Sequence, residues 1–251
     1  MTRPLAIVIG IGPGLGRALV QVFARDGFAV AFTGRNAAAV AAHEADLRAQ
    51  GLEVAGFAGD AGQPDQMEAV HRQIADRYGP AEVLIYNAAL IQPARFVTHS
   101  GLAQAQYGQA AGWAARGEPA SFDYLMDSFR TNVAGAHHAA ASVVPAMIAV
   151  QRGTILLTGG VLAFGPWIEW GVTSLGKAAL RSLGHSLHKE LLPHSIHVST
   201  VAIHGTMQAG TPYDHDLVAR AYLDLHRAPK GRWTPDWHYR INQDGEEDPD
   251  A

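Results

Sequence analysis

The opening of the chain constrains its fold more than any other stretch. Leu5 to Ile9 is an apolar run of strand length, and Gly10, Gly12, Gly14 and Gly16 then alternate with other residues. The segment on to Arg25 carries Leu15, Ala18, Leu19, Val22 and Phe23 at helical spacing. That order spells strand, tight turn, helix. Residues without β-carbons let the backbone turn sharply and bring N–H groups close to a pyrophosphate, which the positive end of a helix dipole also attracts. Placed directly after a first strand, the pattern predicts dinucleotide binding, with Gly10, Gly12, Gly14, Leu15 and Gly16 at the phosphates.

Strand and helix signals then alternate. Phe28 to Thr33 reads as a second strand, and Asn36 as the cap of a helix from Ala37 to Gln50. At the end of that strand a carboxylate would bind a free ribose 2′-hydroxyl, whereas an Arg accommodates a 2′-phosphate. Arg35 stands there and no acid does, which favours NADP(H) over NAD(H). Val54 to Ala58 is a third strand ending at Gly59-Asp60-Ala61, and Pro64 opens a helix with Met67, Val70, Ile74 and Tyr78 on one face. Val83 to Tyr86 is a fourth strand, ending in Asn87-Ala88-Ala89. From Phe122 a long helix is expected to bury Phe122, Leu125, Met126, Phe129, Val133, Ala140, Val144 and Ile148, with the polar Asn132 beside that face. Thr154 to Thr158 is a fifth strand, Thr173 to Leu192 a helix, and Ile196 to Ile203 a sixth strand ending at His204-Gly205-Thr206. Such repeats mean right-handed βαβ units: one doubly wound α/β domain over residues 1–242, a parallel sheet with helices on both faces and ligands at the carboxyl ends of the strands. Between Pro93 and Ala120 the alternation breaks in a glycine-punctuated segment with Phe96, His99, Tyr107 and Trp113, expected to be a lid or a surface insertion. Residues 243–251 are acidic and polar and read as a disordered tail.

Composition removes several classes of function. A net charge of −4 without a basic stripe argues against nucleic acid and against a charged membrane surface. The absence of cysteine excludes disulfides, thiolate catalysis and cysteine-based metal sites. Thirteen histidines raise a metal site, but His185 and His188 lie three apart on one helix without a third ligand nearby, and His194 and His197 straddle a loop and a strand. No metal is expected. The N-terminus shows neither a basic head nor a long apolar stretch, so a cytoplasmic location is expected.

Taken together the pieces resemble the short-chain dehydrogenase/reductase family, a Rossmann-type fold, up to about Arg227. Gly10-x-x-x-Gly14-x-Gly16 is similar to its cofactor turn, Asp60 with Ala61 to its adenine-contacting element, and Asn87-Ala88-Ala89 to its Asn-Asn-Ala-Gly element. Asn132 falls at the position of its helix Asn, Lys177 at that of its catalytic Lys, and His204-Gly205-Thr206 where its Pro-Gly segment runs near the nicotinamide. The resemblance implies that Asn132 and Lys177 organise cofactor and a water chain. It also implies pairing through the helices that bear them, giving a homodimer or homotetramer.

The departures are as informative. The family's proton-transferring Tyr lies four residues before the Lys, and its carbonyl-holding Ser thirteen before the Tyr. Here those positions are Thr173 and Gly160. A phenol beside an ammonium can be brought into a useful acid range, whereas an aliphatic hydroxyl is too weak an acid and its arm too short. Ordinary carbonyl reduction should therefore be crippled, although Thr173 can still bond substrate or water. Reduction of an imine tolerates the loss, because an iminium needs no acid in the hydride step and gains from aromatic faces such as Trp167 or Trp170. Reduction of C=O or C=C with a relocated donor, His204, Tyr107 or His99, is a second possibility. Non-redox cyclisation or isomerisation on a retained scaffold, and NADP(H) binding without turnover, remain beside them. In each case a small organic molecule would be enclosed by 93–120 and by the loop from Gly205 to Tyr213.

Overall fold

The computed structural model describes residues 3–100 and 117–242. Seven strands, β1 (Leu5–Ile9), β2 (Ala29–Gly34), β3 (Val54–Ala58), β4 (Ala81–Tyr86), β5 (Gly153–Thr158), β6 (Ile196–Ile203) and β7 (Asp236–Tyr239), pair in parallel in the order β3-β2-β1-β4-β5-β6-β7. Alternation within the strands divides the interior. Ala6 and Val8 of β1 enter one core, with residues of α1 (Leu15–Arg25), α2 (Ala37–Ala49) and α7 (His215–Arg227). Leu5, Ile7 and Ile9 enter the other, with α3 (Pro64–Tyr78), α5 (Gly135–Val150) and α6 (Gly171–Leu191). Both faces being covered, the central strands read as continuous apolar runs.

Local chemistry sets the element ends. The Asn36 side chain accepts from the Ala39 amide at 3.0 Å to start α2, and Gly79, at φ +79°, ends α3.

The helix after residue 120 departs from its expected face. α4 (Phe122–Phe129) leads into a π-helical turn, Arg130–Ala134, before α5 begins. Tyr124, Ser128 and Asn132 point inward, whereas Phe122 (76% exposed), Met126 and Phe129 face outward. The extra residue of a π turn rotates the register, so apolar spacing across it no longer marks one face. Beyond the turn Ala136, Ala139, Ala140, Val143 and Met147 form the buried stripe. The run Phe122–Val150 is long and apolar enough to cross a bilayer, and here it is a core helix of the second layer.

Two elements had no expectation behind them. α7 packs against α1, and the polar four-residue strand β7 extends the sheet beyond β6. The tail 243–251 and most of the insertion, including Tyr107 and Trp113, lie outside the described residues.

Candidate cofactor and catalytic site

Strands β2 and β4 flank β1, so the connections run out in opposite directions and a crevice opens at the carboxyl ends of β1 and β4. The glycine turn lies there. Gly10 adopts φ +99°, and a Cβ on it would fall 2.5 Å from the Ala88 nitrogen. One on Gly14 would fall 2.7 Å from His215 Nε2, and one on Gly16 2.5 Å from the Gly10 carbonyl oxygen. Gly12 has open space where a side chain would be. No side chain caps α1, whose N-cap is Gly14; the Arg17 amide is taken by the Gly12 and Gly14 carbonyls, and the amides of Leu15 and Gly16 are the ones that would meet an anion. These residues fit a dinucleotide pyrophosphate.

Asn87 anchors the turn from β4. Its Nδ2 donates to the Gly10 carbonyl at 2.9 Å, and its Oδ1 accepts from the Thr158 hydroxyl at 3.1 Å. Asp60, at the end of β3, accepts from the Gly62 amide at 2.9 Å and shapes the loop where Ala61 is buried. Arg35 is exposed just past β2, at the rim where a 2′-phosphate would lie. Gly205 packs beneath the Tyr213 ring, and Thr206 is exposed beside it.

Asn132 is fully buried in the π turn. Its Oδ1 accepts from the Leu90 amide at 2.7 Å, and its Nδ2 donates to the Leu90 carbonyl at 3.2 Å and to Ser128 Oγ at 3.0 Å. The same turn exposes the Thr131 carbonyl, which accepts from Tyr86 OH at 2.5 Å. α6 approaches closely, because a Cβ on Gly176 would fall 2.9 Å from Asn132 Nδ2. The next residue is Lys177. It is 6% exposed, its Nζ donates to the Thr158 carbonyl at 2.6 Å, and burial lowers its pKa from the usual 10.5 to about 8.

Thr173, one turn before Lys177, is 1% exposed, and its hydroxyl has no hydrogen-bond partner among the described residues. The hydroxyl of Ser174 is in the same condition. Gly160 is extended, and the atom nearest to a Cβ there would be the Ile203 oxygen at 4.0 Å. Trp170 is the N-cap of α6 and makes a parallel bridge to Ala94, so Trp170, Thr173 and Lys177 recur at helical spacing. Trp167 is 61% exposed, near Phe164 and Ile168 in the same loop. Glu169 is buried between the loops, ion-paired with Arg95 and accepting from Ser100 Oγ at 2.8 Å.

Two of the expected donors, His99 and His204, lie among the described residues. His99 faces the surface, 3.5 Å from the Glu118 carboxylate. His204 stays at the end of β6, its Nε2 2.8 Å from His238 Nδ1 of β7 and 3.4 Å from Arg240 Nε. Because Arg240 can only donate, His204 Nε2 accepts and His238 Nδ1 carries the proton. Burial, with Arg240 and His238 adding, lowers the His204 pKa to about 4, so the ring is neutral near pH 7. Sequence reasoning missed Thr158, His215, Tyr222 and His238. Only the position of Thr158, last in a strand beside Asn87, carried a signal. His185 pairs with Asp236 and His188 with the Val198 carbonyl, and the described residues hold no cluster able to bind a metal ion.

A parallel sheet of this order, with a glycine turn at its crossover and a buried helix lysine beneath the strand ends, defines an α/β nucleotide-binding protein. A family model described as short chain dehydrogenase matches residues 4–216, and the chain belongs to that family. It is 29% identical over 229 residues to the sorbitol dehydrogenase of Cereibacter sphaeroides, covering 90% of this chain and 78% of that one. With the human mitochondrial dehydrogenase/reductase SDR family member 2 it shares 26% over 201 residues, 80% of this chain and 64% of the relative. It thus spans under two thirds of that human protein. A metagenomic short-chain oxidoreductase in complex with NADP has the same fold, with a TM-score of 0.79 at 20% identity over 96% of this chain and 98% of that one. A short-chain dehydrogenase from Rhodopseudomonas palustris gives 0.76 at 23%, over 95% and 99%.

Proposed function

We propose that the protein is an NADP(H)-dependent oxidoreductase with a non-standard proton arrangement, reducing a C=N bond, or a C=O or C=C bond, of a small organic molecule. The observation that carries this is Lys177, kept in the family's register and buried beneath the strand ends, next to a Thr173 in place of the phenol. The glycine turn supports cofactor binding. The NADP bound to the metagenomic relative and the exposed Arg35 support the phosphorylated form.

NADP(H), when bound, supplies the hydride. Lys177 would bond the nicotinamide ribose, and its charge would stay near the reacting carbon. Asn132 has its amide committed to Leu90 and Ser128, so it holds α4 and the loop after β4 rather than transferring a proton. Thr173 leaves a hydroxyl for a water or a substrate heteroatom, and a positively charged iminium would meet the faces of Trp167 or Trp170 instead of an acid. Two copies would pair through the outward apolar stripe of Phe122, Met126 and Phe129. A cytoplasmic location suits this role.

NADPH oxidation against matched ketone, enone and cyclic-imine panels tests the reading, with the imine panel expected to turn over fastest. Tight NADPH binding with no turnover on any panel would overturn it in favour of a non-redox enzyme or a binding protein.

A further inference from the structure

A tyrosine reaches the site from behind the sheet. Tyr222 lies on α7, on the face opposite α6, and is fully buried. Its hydroxyl meets Thr158 Oγ1 at 2.9 Å, Thr158 Oγ1 meets Asn87 Oδ1 at 3.1 Å, and Asn87 Nδ2 meets the Gly10 carbonyl at 2.9 Å. The direction of this chain is fixed from its far end. A carbonyl can only accept, so Asn87 presents its NH2 to Gly10 and its oxygen to Thr158. Thr158 must then spend its single proton on Asn87, and its hydroxyl can only accept from Tyr222. On the other face, the carbonyl of the same Thr158 accepts from Lys177 Nζ. One residue at the end of β5 is therefore held at its hydroxyl by α7 and at its carbonyl by α6.

We propose that Tyr222 is a positioning residue for the dinucleotide site: through Thr158 it orients Asn87 against the glycine turn and steadies the carbonyl that holds Lys177. Burial pushes the Tyr222 phenol well above its usual range, so it serves as a fixed donor and not as an acid. The inference rests on the NADP(H) reading above.

NADPH titration followed by its fluorescence, with thermal unfolding in parallel, tests it. Tyr222→Phe keeps the ring and removes the donor, and about a five-fold weaker Kd for NADPH is expected, the worth of one hydrogen bond. Thr158→Val cuts the chain at its centre and should weaken binding at least as much. The double variant should bind no worse than Thr158→Val alone. Leu223→Ala, a truncation in the same core, should lower the melting temperature while leaving the Kd unchanged. A Kd within two-fold of wild type for Tyr222→Phe, or losses that add in the double variant, overturns the proposal. Should Tyr222→Phe fail to fold, an unchanged Kd in Thr158→Val overturns it equally. Wild-type protein that does not bind NADPH removes both this inference and the function beneath it, whereas wild-type binding with an indifferent Tyr222→Phe removes this one only.

Discussion

Lys177 should be a burden on the empty protein. Burial lowers its pKa from 10.5 to about 8, so the folded chain holds that proton less tightly than the unfolded chain does. The sign follows: the penalty is full below pH 8 and fades as pH climbs through 10.5, so stability rises with pH across that window. The two values correspond to about 3 kcal/mol at pH 7 and about 1 kcal/mol at pH 9.5. The 2.6 Å bond to the Thr158 carbonyl offsets part of this, by about 1.5–3 kcal/mol for a hydrogen bond from a charged donor. Lys177→Met, similar in length and without charge, is thus expected to match wild type at pH 7 or exceed it by up to about 1.5 kcal/mol. More decisive is the slope: relative to the variant, wild type should gain about 2 kcal/mol between pH 7 and pH 9.5. Urea unfolding of both proteins at the two pH values measures it, and NADPH titration of the same samples should show the variant binding much more weakly. A stability difference that ignores pH, or a variant losing more than about 2 kcal/mol at pH 7, would refute the reasoning.

Acid should lower stability at two buried histidines as well, with the same sign as at Lys177. Burial lowers His71 and His197 to about 4, so stability present above pH 6.5 is lost as pH falls toward 4; at pH 5 each costs about 2 kcal/mol. Denaturant titration at pH 7.5 and 5 should show it, with the double variant His71→Asn/His197→Asn losing the share these two rings supply while His204, also lowered to about 4, keeps its own. Arg35→Ala should weaken NADPH roughly ten-fold and leave NADH nearly unchanged in parallel titrations, and equal losses would remove the cofactor preference. Light scattering should find wild type dimeric or larger and Phe129→Asp monomeric, whereas a monomeric wild type would discard the outward stripe as an interface. Gly160→Ser meets open space and should shift stability by no more than about 0.5 kcal/mol, while Thr173→Tyr overpacks a buried position at about 1–3 kcal/mol; calorimetry finding the reverse ranking would contradict the packing described.

Much of the fold was legible because its signals are local. A strand of Leu5 to Ile9 followed by four spaced glycines leaves few alternatives, and Asn36 and Pro64 mark helix starts by their own chemistry. The failures share one cause, partners distant in sequence. The face of α4 is decided by Asn132 reaching Leu90 and by Tyr86 reaching Thr131, not by apolar spacing. β7 is four polar and aromatic residues whose partner is the edge of β6, and nothing in Asp-Trp-His-Tyr announces that edge. The turn after β1 was likewise legible from its glycines, yet the hydrogen bonds bracing it run from Gly10 to Asn87, Thr158 and Tyr222, across most of the chain.

The placement of Lys177 bears on what a threonine at 173 means. An ammonium buried against a strand carbonyl weakens the fold unless something recovers its hydration, and a methionine there would relieve the strain. The orphan hydroxyls of Thr173 and Ser174, one turn away on the same helix, add polar groups that the described residues leave unsatisfied. Thr173 and Ser174 share one turn of α6 and Lys177 stands on the next, and three such groups so close together are difficult to reconcile with a scaffold that has only a packing role. On the NADP(H) reading a cofactor ribose would meet Lys177, whereas the Thr173 and Ser174 hydroxyls are closed to solvent. The penalty read in the empty protein and the affinity read with NADPH are therefore two sides of one quantity, and Lys177→Met should move them in opposite directions.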